Sequence, residues 1–341
     1  MAETDLFRGE RYRVRHWRTD ATPRTVVSFT TWLAKPGLDE DFSGAGFFIH
    51  RGINLIGIQS TDNDWFQHGE IARALAAVRE ATPGHQRIGY GGSMGGYAVI
   101  NFADALDLHS LVAICPQVSV DPARAPFEDR WLSEARRITF DNDRIETAPP
   151  LAKGFIVYDP WGKDGQHAAR ILAHHQLTAV RIRFVGHALL LGLQQMGLLT
   201  PLLERLIADS YDPADFQREL RAARRNSSVA WMMLSEVMRE RGNTVASLRA
   251  AETARSMPEP APKFEIDLAY AHALMANGAR AAAGEAVAPY LDDPAFKDAM
   301  PWVLHKLGLT EAELRMPPEP CVEAVPPDAA GPWWRRLLRR A

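Results

Sequence analysis

The chain has little cysteine. Only Cys115 and Cys321 occur among its 341 residues. Two thiols cannot build a disulfide framework, and they do not form the clustered Cys and His spacing that binds a structural metal. The Gly-Lys-Ser/Thr of a phosphate-binding Walker loop is also missing. We therefore expect a fold without disulfides, without a metal and without a bound cofactor.

Strong net charge and long apolar runs are missing as well. The formal net charge is −3, which gives no sign of a nucleic-acid-binding surface. No uninterrupted apolar stretch reaches the roughly 18 residues that span a membrane. The beginning, "MAETDLFRGERYRVRHWR", lacks the apolar core of a signal peptide. The expectation is a soluble cytoplasmic protein with neither a transmembrane segment nor a nucleic-acid partner.

Strand-like and helix-like segments alternate through the first part of the chain. The strand candidates are mostly short continuous apolar runs, which are typical of parallel strands buried on both faces. "RYRVRHWR" alternates more clearly and is predicted to be an edge strand. The predicted strands cover 25–33, 53–60, 87–91, 111–115, 154–159 and 178–186, and the predicted helices cover 68–81, 94–106 and 165–176. This alternation predicts a doubly wound, mostly parallel α/β domain over 1–205.

From about residue 212 the strand signals stop and an α-helical domain is predicted over 212–310. Its predicted helices cover 213–224, 227–241, 244–257, 263–277 and 279–291. Gly242 and Gly278 lie about 36 residues apart, close to the ~34-residue tetratricopeptide unit. Trp231 occupies the tryptophan position of that pattern, whereas Asp267 replaces it in the second unit. The region resembles tetratricopeptide repeats and would bind a protein partner; a generic helical appendage is the alternative.

The remaining residues, 311–341, begin as a proline-rich linker and end in Trp333 and Trp334 among four arginines. Such a basic aromatic end suits a short helix on a membrane surface or on a partner. A plain docking or disordered tail is the alternative.

One short stretch carries the chemistry. "RIGYGGSMGGYAVINF" (87–102) places Ser93 between a predicted strand and a predicted helix. A sharp turn at this junction needs small residues two positions before and two after the serine, where Gly91 and Gly95 lie. The N–H of Met94 would then point at a developing oxyanion. The alternatives are a glycine-rich turn that only makes room for helix packing, or a phosphate-binding loop.

With this motif and its flanks, residues 20–205 resemble the α/β-hydrolase superfamily. The resemblance implies a catalytic serine, then an aspartate or glutamate, then a histidine, each on a loop after a strand. His187 directly follows the last predicted strand and is the implied base. Asp159 and Asp164 are both candidates for the acid, and the position of Asp164 a few residues past its strand favours it. Asp164 could instead cap a helix, and Asp159 could start a turn.

The same resemblance implies a second oxyanion donor in the loop after the 25–33 strand. Thr31 is the preferred donor, beside Thr30 and Trp32, although the His-Gly-Gly-Gly loop of lipases is absent. Further side chains lie on loops that follow strands, where open α/β sheets bind ligands. The residues expected to contact the substrate are Thr30, Trp32, Trp65, Phe66 and Gln117; loop packing is the alternative role.

These residues predict a serine hydrolase of the esterase or thioesterase type, working through an acyl-enzyme. "GGSMGGYA", with "PQ" after the next strand, is also similar to bacterial hydrolase-like proteins found with polysaccharide genes. The expected substrate is a small-molecule or carbohydrate-linked acyl ester. An acyltransferase with the same three residues is one alternative. A non-catalytic scaffold whose helical domain binds a partner is the other.

Overall fold

The computed structural model of the chain describes residues 2–19, 23–40, 42, 44–258 and 262–315. The predictions for Cys321 and for the basic aromatic tail fall outside these ranges. The chain forms two compact units. The first comprises 1–189 with 200–213, and the second comprises 190–199 with 214–341.

The strands all belong to the first unit. They are β1 (Ala2–Arg8), β2 (Tyr12–Arg18), β3 (Arg24–Phe29), β4 (Asn54–Ser60), β5 (Gln86–Gly92), β6 (Ser110–Ile114), β7 (Phe155–Tyr158) and β8 (Thr178–Arg181). The helices of this unit are α1 (Ala45–His50), α2 (Ile71–Ala81), α3 (Met94–Asn101), α4 (Leu132–Ala135), α5 (Lys163–His174) and α7 (Leu199–Ile207), whereas α6 (Leu189–Gln195) belongs almost wholly to the second unit.

The strands form one sheet in the order β1-β2-β4-β3-β5-β6-β7-β8. β1 with β2 and β2 with β4 pair antiparallel, and the pairs from β4 to β8 are parallel. Every residue of β4 is buried, so both faces of the sheet are covered there. The predicted fold class, a mostly parallel sheet of the α/β-hydrolase type followed by an α-helical region, is confirmed.

The prediction of an edge strand at "RYRVRHWR" is wrong. That segment is β2, which pairs on both sides, with β1 and with β4. The edge strand on this side of the sheet is β1, whose residues 3–8 are exposed or half-buried. Edge strands are often short and charged, which protects their free edge. The sequence "AETDLFR" therefore lacks the apolar alternation by which strands are recognised, and β1 was not predicted.

Because β3 to β8 run parallel, their carboxyl ends lie along the same edge of the sheet. The register pairs Phe29 of β3 with Ile58 of β4, and Gly92 of β5 with Ile114 of β6. The loops that leave these strands carry the residues singled out from the sequence. The fold thus brings segments that are up to 157 residues apart to one edge, from Thr30 after β3 to His187 after β8.

The second unit is helical throughout its described elements. Its main helices are α8 (Pro213–Ala223), α9 (Ser228–Glu240), α10 (Thr244–Arg255), α11 (Lys263–Ala276), α12 (Arg280–Val287), α13 (Met300–Leu307) and α14 (Glu311–Arg315). Gly242 and Gly278, at φ of 74° and 78°, occupy the turns after α9 and α11. Glycine adopts this left-handed conformation without steric cost. The resemblance to tetratricopeptide repeats stays a prediction.

The helices were compared in length and hydrophobicity with what a membrane span requires. None in the described part of the chain combines the required length with the required hydrophobicity.

Candidate active site

Ser93 lies on a strained turn between β5 and α3. Its backbone angles are φ 51° and ψ −118°, in a region that residues other than glycine rarely adopt. Its N–H donates to the carbonyl of Ile114 on the neighbouring strand at 2.8 Å. That bond ties the turn to the sheet, so the Ser93 side chain is held at the carboxyl edge.

The glycines around Ser93 are required by close backbone contacts. A Cβ on Gly91 would lie 2.3 Å from the carbonyl carbon and oxygen of Gly95. A Cβ on Gly95 would lie 2.5 Å from the carbonyl oxygen of Phe29, at the end of β3. Both distances are far below van der Waals contact, and the atoms met are backbone atoms that cannot rotate away. Any larger residue would push α3 off the strands that it packs on.

The structure brings Ser93, His187 and Asp164 together. Ser93 Oγ lies 2.9 Å from Nε2 of His187. Nδ1 of the same ring lies 2.9 Å from Oδ2 and 3.1 Å from Oδ1 of Asp164. The Asp164 side chain is 3% exposed, whereas that of His187 is 26% exposed. Solvent therefore reaches the imidazole, while the carboxylate that orients it is shielded.

The Asp164 carboxylate remains ionised despite its burial. Burial alone would raise its pKa, but the hydrogen bond and charge of His187 and the charge of Arg130 outweigh this effect. The pKa of Asp164 is consequently lowered from its usual value. An ionised carboxylate accepts the Nδ1–H of His187. It therefore favours the tautomer whose Nε2 carries no proton and can accept the proton of Ser93.

Asp159 lies at the other end of the same loop and has different partners. Its Oδ2 accepts the N–H groups of Val185 and Gly186, each at 2.8 Å. Its Oδ1 accepts the N–H of Trp161 at 2.9 Å. Burial raises the pKa of this carboxyl, and these donors counteract the rise. The structure does not bring Asp159 to the imidazole. Asp159 instead binds the backbone that leads to His187.

The alternative roles weighed for the two aspartates are also visible. The helix that contains Asp164 begins at Lys163 with Gly162 as its N-cap, and no side chain caps it. Asp164 is therefore in the first turn rather than at the cap. Asp159 does start a turn, because its side chain binds the N–H of Trp161 two residues later.

Three functional neighbours were missed by the sequence analysis. Arg130 Nη2 donates to Asp164 Oδ1 at 2.8 Å. Glu128 accepts from Arg130, and it also lies 2.8 Å from Nε2 of His167 on α5. Arg130 and Glu128 lie in the long segment between β6 and β7 (residues 115–154), called the insertion below. Nothing in the local sequence indicates which charged side chains of the insertion will be buried against the site.

Gln117 contacts the serine directly. Its Nε2 donates to Ser93 Oγ at 3.3 Å, and its Oε1 accepts the indole N–H of Trp65 at 3.1 Å. An indole nitrogen only donates, so this contact assigns Oε1 to Trp65 and turns the amide N–H group toward Ser93. Gln117 and Trp65 are both fully buried.

Phe66 has a different environment from Trp65. Its ring stacks on Tyr12 at 5.8 Å and meets Phe29 edge-on at 5.0 Å, within the hydrophobic core. Both Trp65 and Phe66 have positive φ, 49° and 57°. Two consecutive left-handed residues indicate a strained loop. Both rings belong to the buried core, where Phe66 contacts Tyr12 and Phe29 and Trp65 contacts Gln117.

Tryptophan rings line the surroundings of His187. Trp131 lies 6.0 Å from the imidazole, 5.7 Å from Trp65 and 5.5 Å from Trp32, measured between ring centroids. Trp32 donates its indole N–H to Glu134 at 2.9 Å. Among the described residues, the indole nitrogen of Trp131 is buried without a hydrogen-bond partner. These rings form an apolar side of the site next to His187.

The loop after β3 supplies candidate oxyanion donors. The N–H of Thr30 is engaged with the carbonyl of Ile58 at 3.1 Å, and that of Leu33 with Asn63 Oδ1 at 3.0 Å. Thr30 thus has no backbone donor to offer, whereas Thr31 lies between the two engaged positions. Met94 is the first residue of α3, where N–H groups have no partner within the helix.

One group of side chains has the spacing of metal ligands. Cys115 Sγ, an Asp164 oxygen and a His187 nitrogen all lie within 4.8 Å of one another. Burial, and then the charge of Asp164, raise the pKa of the Cys115 thiol well above its usual value.

A polar cavity of about 320 Å³ lies beside the site. Neither Ser93 nor His187 lines it. Its walls come from the loop after β4 and from the region around α4, and they include Asn63, Gln67 and Glu134. The same stretches hold Trp65 and Trp131, whose ring centroids lie 5.7 Å apart.

The sheet order and the strand–serine–helix turn define an α/β-hydrolase-type fold. Similar solved structures include an α/β serine hydrolase without a lid from Xanthomonas campestris, at 18% identity over 60% of this chain and 91% of that chain, TM-score 0.39. A putative thioesterase from a Silicibacter species is 15% identical over 62% and 80%, TM-score 0.43. The capsule O-acetyltransferase of Neisseria meningitidis serogroup A is 10% identical over 53% and 86%, TM-score 0.42. No family model and no curated protein matches the chain.

Proposed function

We propose that this protein is a serine hydrolase that cleaves a carboxylic ester or thioester. The observation that carries the proposal is the continuous hydrogen-bonded series from Asp164 through His187 to Ser93. A serine hydroxyl becomes a useful nucleophile when a base within hydrogen-bond distance accepts its proton. A third group must orient that base, and a buried carboxylate suits this role.

In the first half of the proposed reaction, Ser93 Oγ bonds to the acyl carbon while its proton passes to Nε2 of His187. Asp164 stabilises the resulting imidazolium. The carbonyl oxygen becomes an oxyanion, which the N–H groups of Met94 and Thr31 would stabilise. Return of the proton from His187 to the alcohol or thiol lets the C–O or C–S bond break, which leaves an acyl-enzyme.

In the second half, a water molecule attacks the acyl carbon and gives its proton to His187. Collapse of that intermediate breaks the bond to Ser93 Oγ, which recovers its proton from His187 and releases the acid. The amide of Gln117 would hold Oγ in position through both halves. Candidate substrates are small acyl esters, including carbohydrate-linked ones.

The test is labelling with a fluorophosphonate probe, together with burst kinetics on p-nitrophenyl acetate. We expect labelling of the native chain and a burst equal to one product per site. Both should be lost in Ser93→Ala and fall sharply in His187→Ala. Ser210→Ala, at an exposed serine, is the matched control and should behave like the native chain. Labelling that survives in Ser93→Ala would refute the proposal.

The fate of the acyl group is a separate measurement. The proposed hydrolase releases the free acid whether or not a polyhydroxylated acceptor is present. A transferase with the same residues would form an acyl ester of that acceptor. Chromatography of the products, run with and without glucose at high concentration, distinguishes the two.

A further inference from the structure

Arg130 places a positive charge on the acid of the proposed catalytic residues. Its Nη2 donates to Oδ1 of Asp164 at 2.8 Å, while Oδ2 lies nearest to His187 at 2.9 Å. The two oxygens of Asp164 therefore have different principal partners. A carboxylate held at both oxygens cannot rotate about its terminal bond without breaking one contact.

Glu128 holds Arg130 in this orientation. The Arg130 Nε donates to Glu128 Oε1 at 2.9 Å and Nη2 donates to Oε2 at 2.6 Å, a bidentate pair. Paired contacts of this kind define the plane of the guanidinium as well as its position. The Glu128 side chain is fully buried, and that of Arg130 is 25% exposed.

His167 in turn holds Glu128. The N–H of Val118 donates to Nδ1 of His167 at 3.1 Å, so Nδ1 must carry a lone pair. Nε2 then carries the proton and donates it to Glu128 at 2.8 Å. Burial lowers the pKa of His167, in agreement with a neutral ring. The series therefore runs from His167 through Glu128 and Arg130 to Asp164.

We propose that Arg130 is a positioning residue that orients Asp164 toward His187 and controls the pH range in which His187 acts as a base. This inference rests on the proposed function and extends it to a residue that does not touch the substrate. Glu128 acts through Arg130, and His167 acts through Glu128.

The charges around His187 determine the expected direction. Asp164 contacts the ring, Arg130 faces Asp164 from the insertion, and Glu128 backs Arg130. Asp159 and the Cys115 thiol face Asp164 from the ends of β7 and β6, and His167 is neutral.

Arg130→Gln removes a positive charge, which makes protonation of His187 easier. Glu128→Gln removes a negative charge, which makes it harder.

The experiment measures the rate of fluorophosphonate labelling between pH 5 and 9. In Arg130→Gln, the acid limb should move to higher pH by on the order of one unit, which lowers the rate about tenfold on that limb. In Glu128→Gln, it should move to lower pH. The double variant, which removes a buried charge pair together, should follow Arg130→Gln because Arg130 is the nearer charge. Arg130→Lys should return the limb toward the native position.

Arg136→Gln, at an exposed arginine of the same insertion, is the control and should keep the native profile. Limbs that superimpose on the native profile in Arg130→Gln and Glu128→Gln would overturn the inference. A shift of the acid limb in the same direction in both variants would also overturn the inference. Such a result would indicate that both substitutions disturb the packing of the site, whatever the sign of the charge removed. Failure of the native chain to label, or equal labelling of Ser93→Ala, would instead refute the proposed function itself.

Discussion

At the residue scale, Asp159 and Asp164 are five residues apart in the chain but have different hydrogen-bond partners. Asp164 lies against the His187 ring and the Arg130 guanidinium. Asp159 binds three backbone N–H groups, two of which belong to the loop leading to His187. One aspartate therefore orients the imidazole directly, and the other holds the backbone that carries it.

Replacing each aspartate by asparagine should separate these roles. Asp164→Asn keeps the shape of the side chain but removes the charge and offers Nδ1 a donor, which favours the wrong tautomer. We expect a loss of about 10⁴-fold in kcat on p-nitrophenyl acetate, by analogy with other serine–histidine–aspartate sites.

Asp159→Asn removes the acceptor oxygen of one or two backbone N–H groups. We expect a loss of about 1–3 kcal/mol in the free energy of unfolding, since buried donors are left unpaired. The accompanying fall in kcat should be smaller than that of Asp164→Asn. Urea unfolding and steady-state kinetics on both variants check this. A larger loss of kcat in Asp159→Asn would contradict the assignment of roles.

The residues differ in how well the sequence predicted their places. Ser93 was placed on its turn because the glycines that the turn needs are its neighbours in the chain. Arg130 and Asp164 are separated by 34 residues, and His167 and Glu128 by 39. Their contacts depend on how the insertion folds over the sheet edge, which no local pattern encodes.

At the element scale, the junction of β5 and α3 depends on close approach between backbones. Gly91 and Gly95 meet across the turn, and Gly95 also meets the end of β3. This packing brings the first turn of α3 against the loop that contains Thr31. A Cβ on Gly95 would also lie 3.0 Å from the carbonyl oxygen of Thr30, so the first turn of α3 packs closely on this loop.

Gly91→Ala should damage this junction. Its Cβ would lie 2.3 Å from backbone atoms of Gly95, so α3 must shift. We expect a loss of about 1–3 kcal/mol in the free energy of unfolding and slower fluorophosphonate labelling of Ser93. Gly69→Ala, where a Cβ meets open space, is the matched control for urea unfolding. Equal stability of the two variants would contradict the proposed crowding.

At the scale of the whole molecule, buried histidines couple stability to pH. His175 is 2% exposed. Its Nδ1 accepts the N–H of Leu151 at 3.1 Å, and its Nε2 lies 2.8 Å from the carbonyl oxygen of Ile145. Only the neutral ring can accept at one nitrogen and donate at the other. Burial accordingly lowers the pKa of His175 in the folded chain.

The pH dependence follows from this shift. The unfolded chain binds a proton at His175 near pH 6.5, whereas the folded chain resists it. The stability that His175 contributes is therefore present above about pH 6.5 and is lost as the pH falls below it. The difference in free energy of unfolding between the native chain and His175→Gln should shrink from pH 7.5 to pH 5. A difference that stays constant in urea titrations would contradict this.

The helical unit contains the tryptophan and the two glycines on which its resemblance to tetratricopeptide repeats depends. The indole N–H of Trp231 donates to the carbonyl of Arg225 at 3.1 Å. This polar group is therefore hydrogen-bonded within the helical unit and needs no second protein for that purpose. Gly242 and Gly278 occupy comparable turns, as a repeat requires. Binding of a protein partner by this unit stays a prediction.

The sequence by itself determined the positions of the strands from β2 to β8, the α/β class and the turn that carries Ser93. These features depend on periodicity and on turn residues that are close together in the chain. The tertiary structure alone decided which aspartate meets His187, which strand forms the edge of the sheet and which charges surround the site. Those outcomes depend on contacts between distant segments, because a carboxylate or guanidinium gains its role from what the fold packs against it.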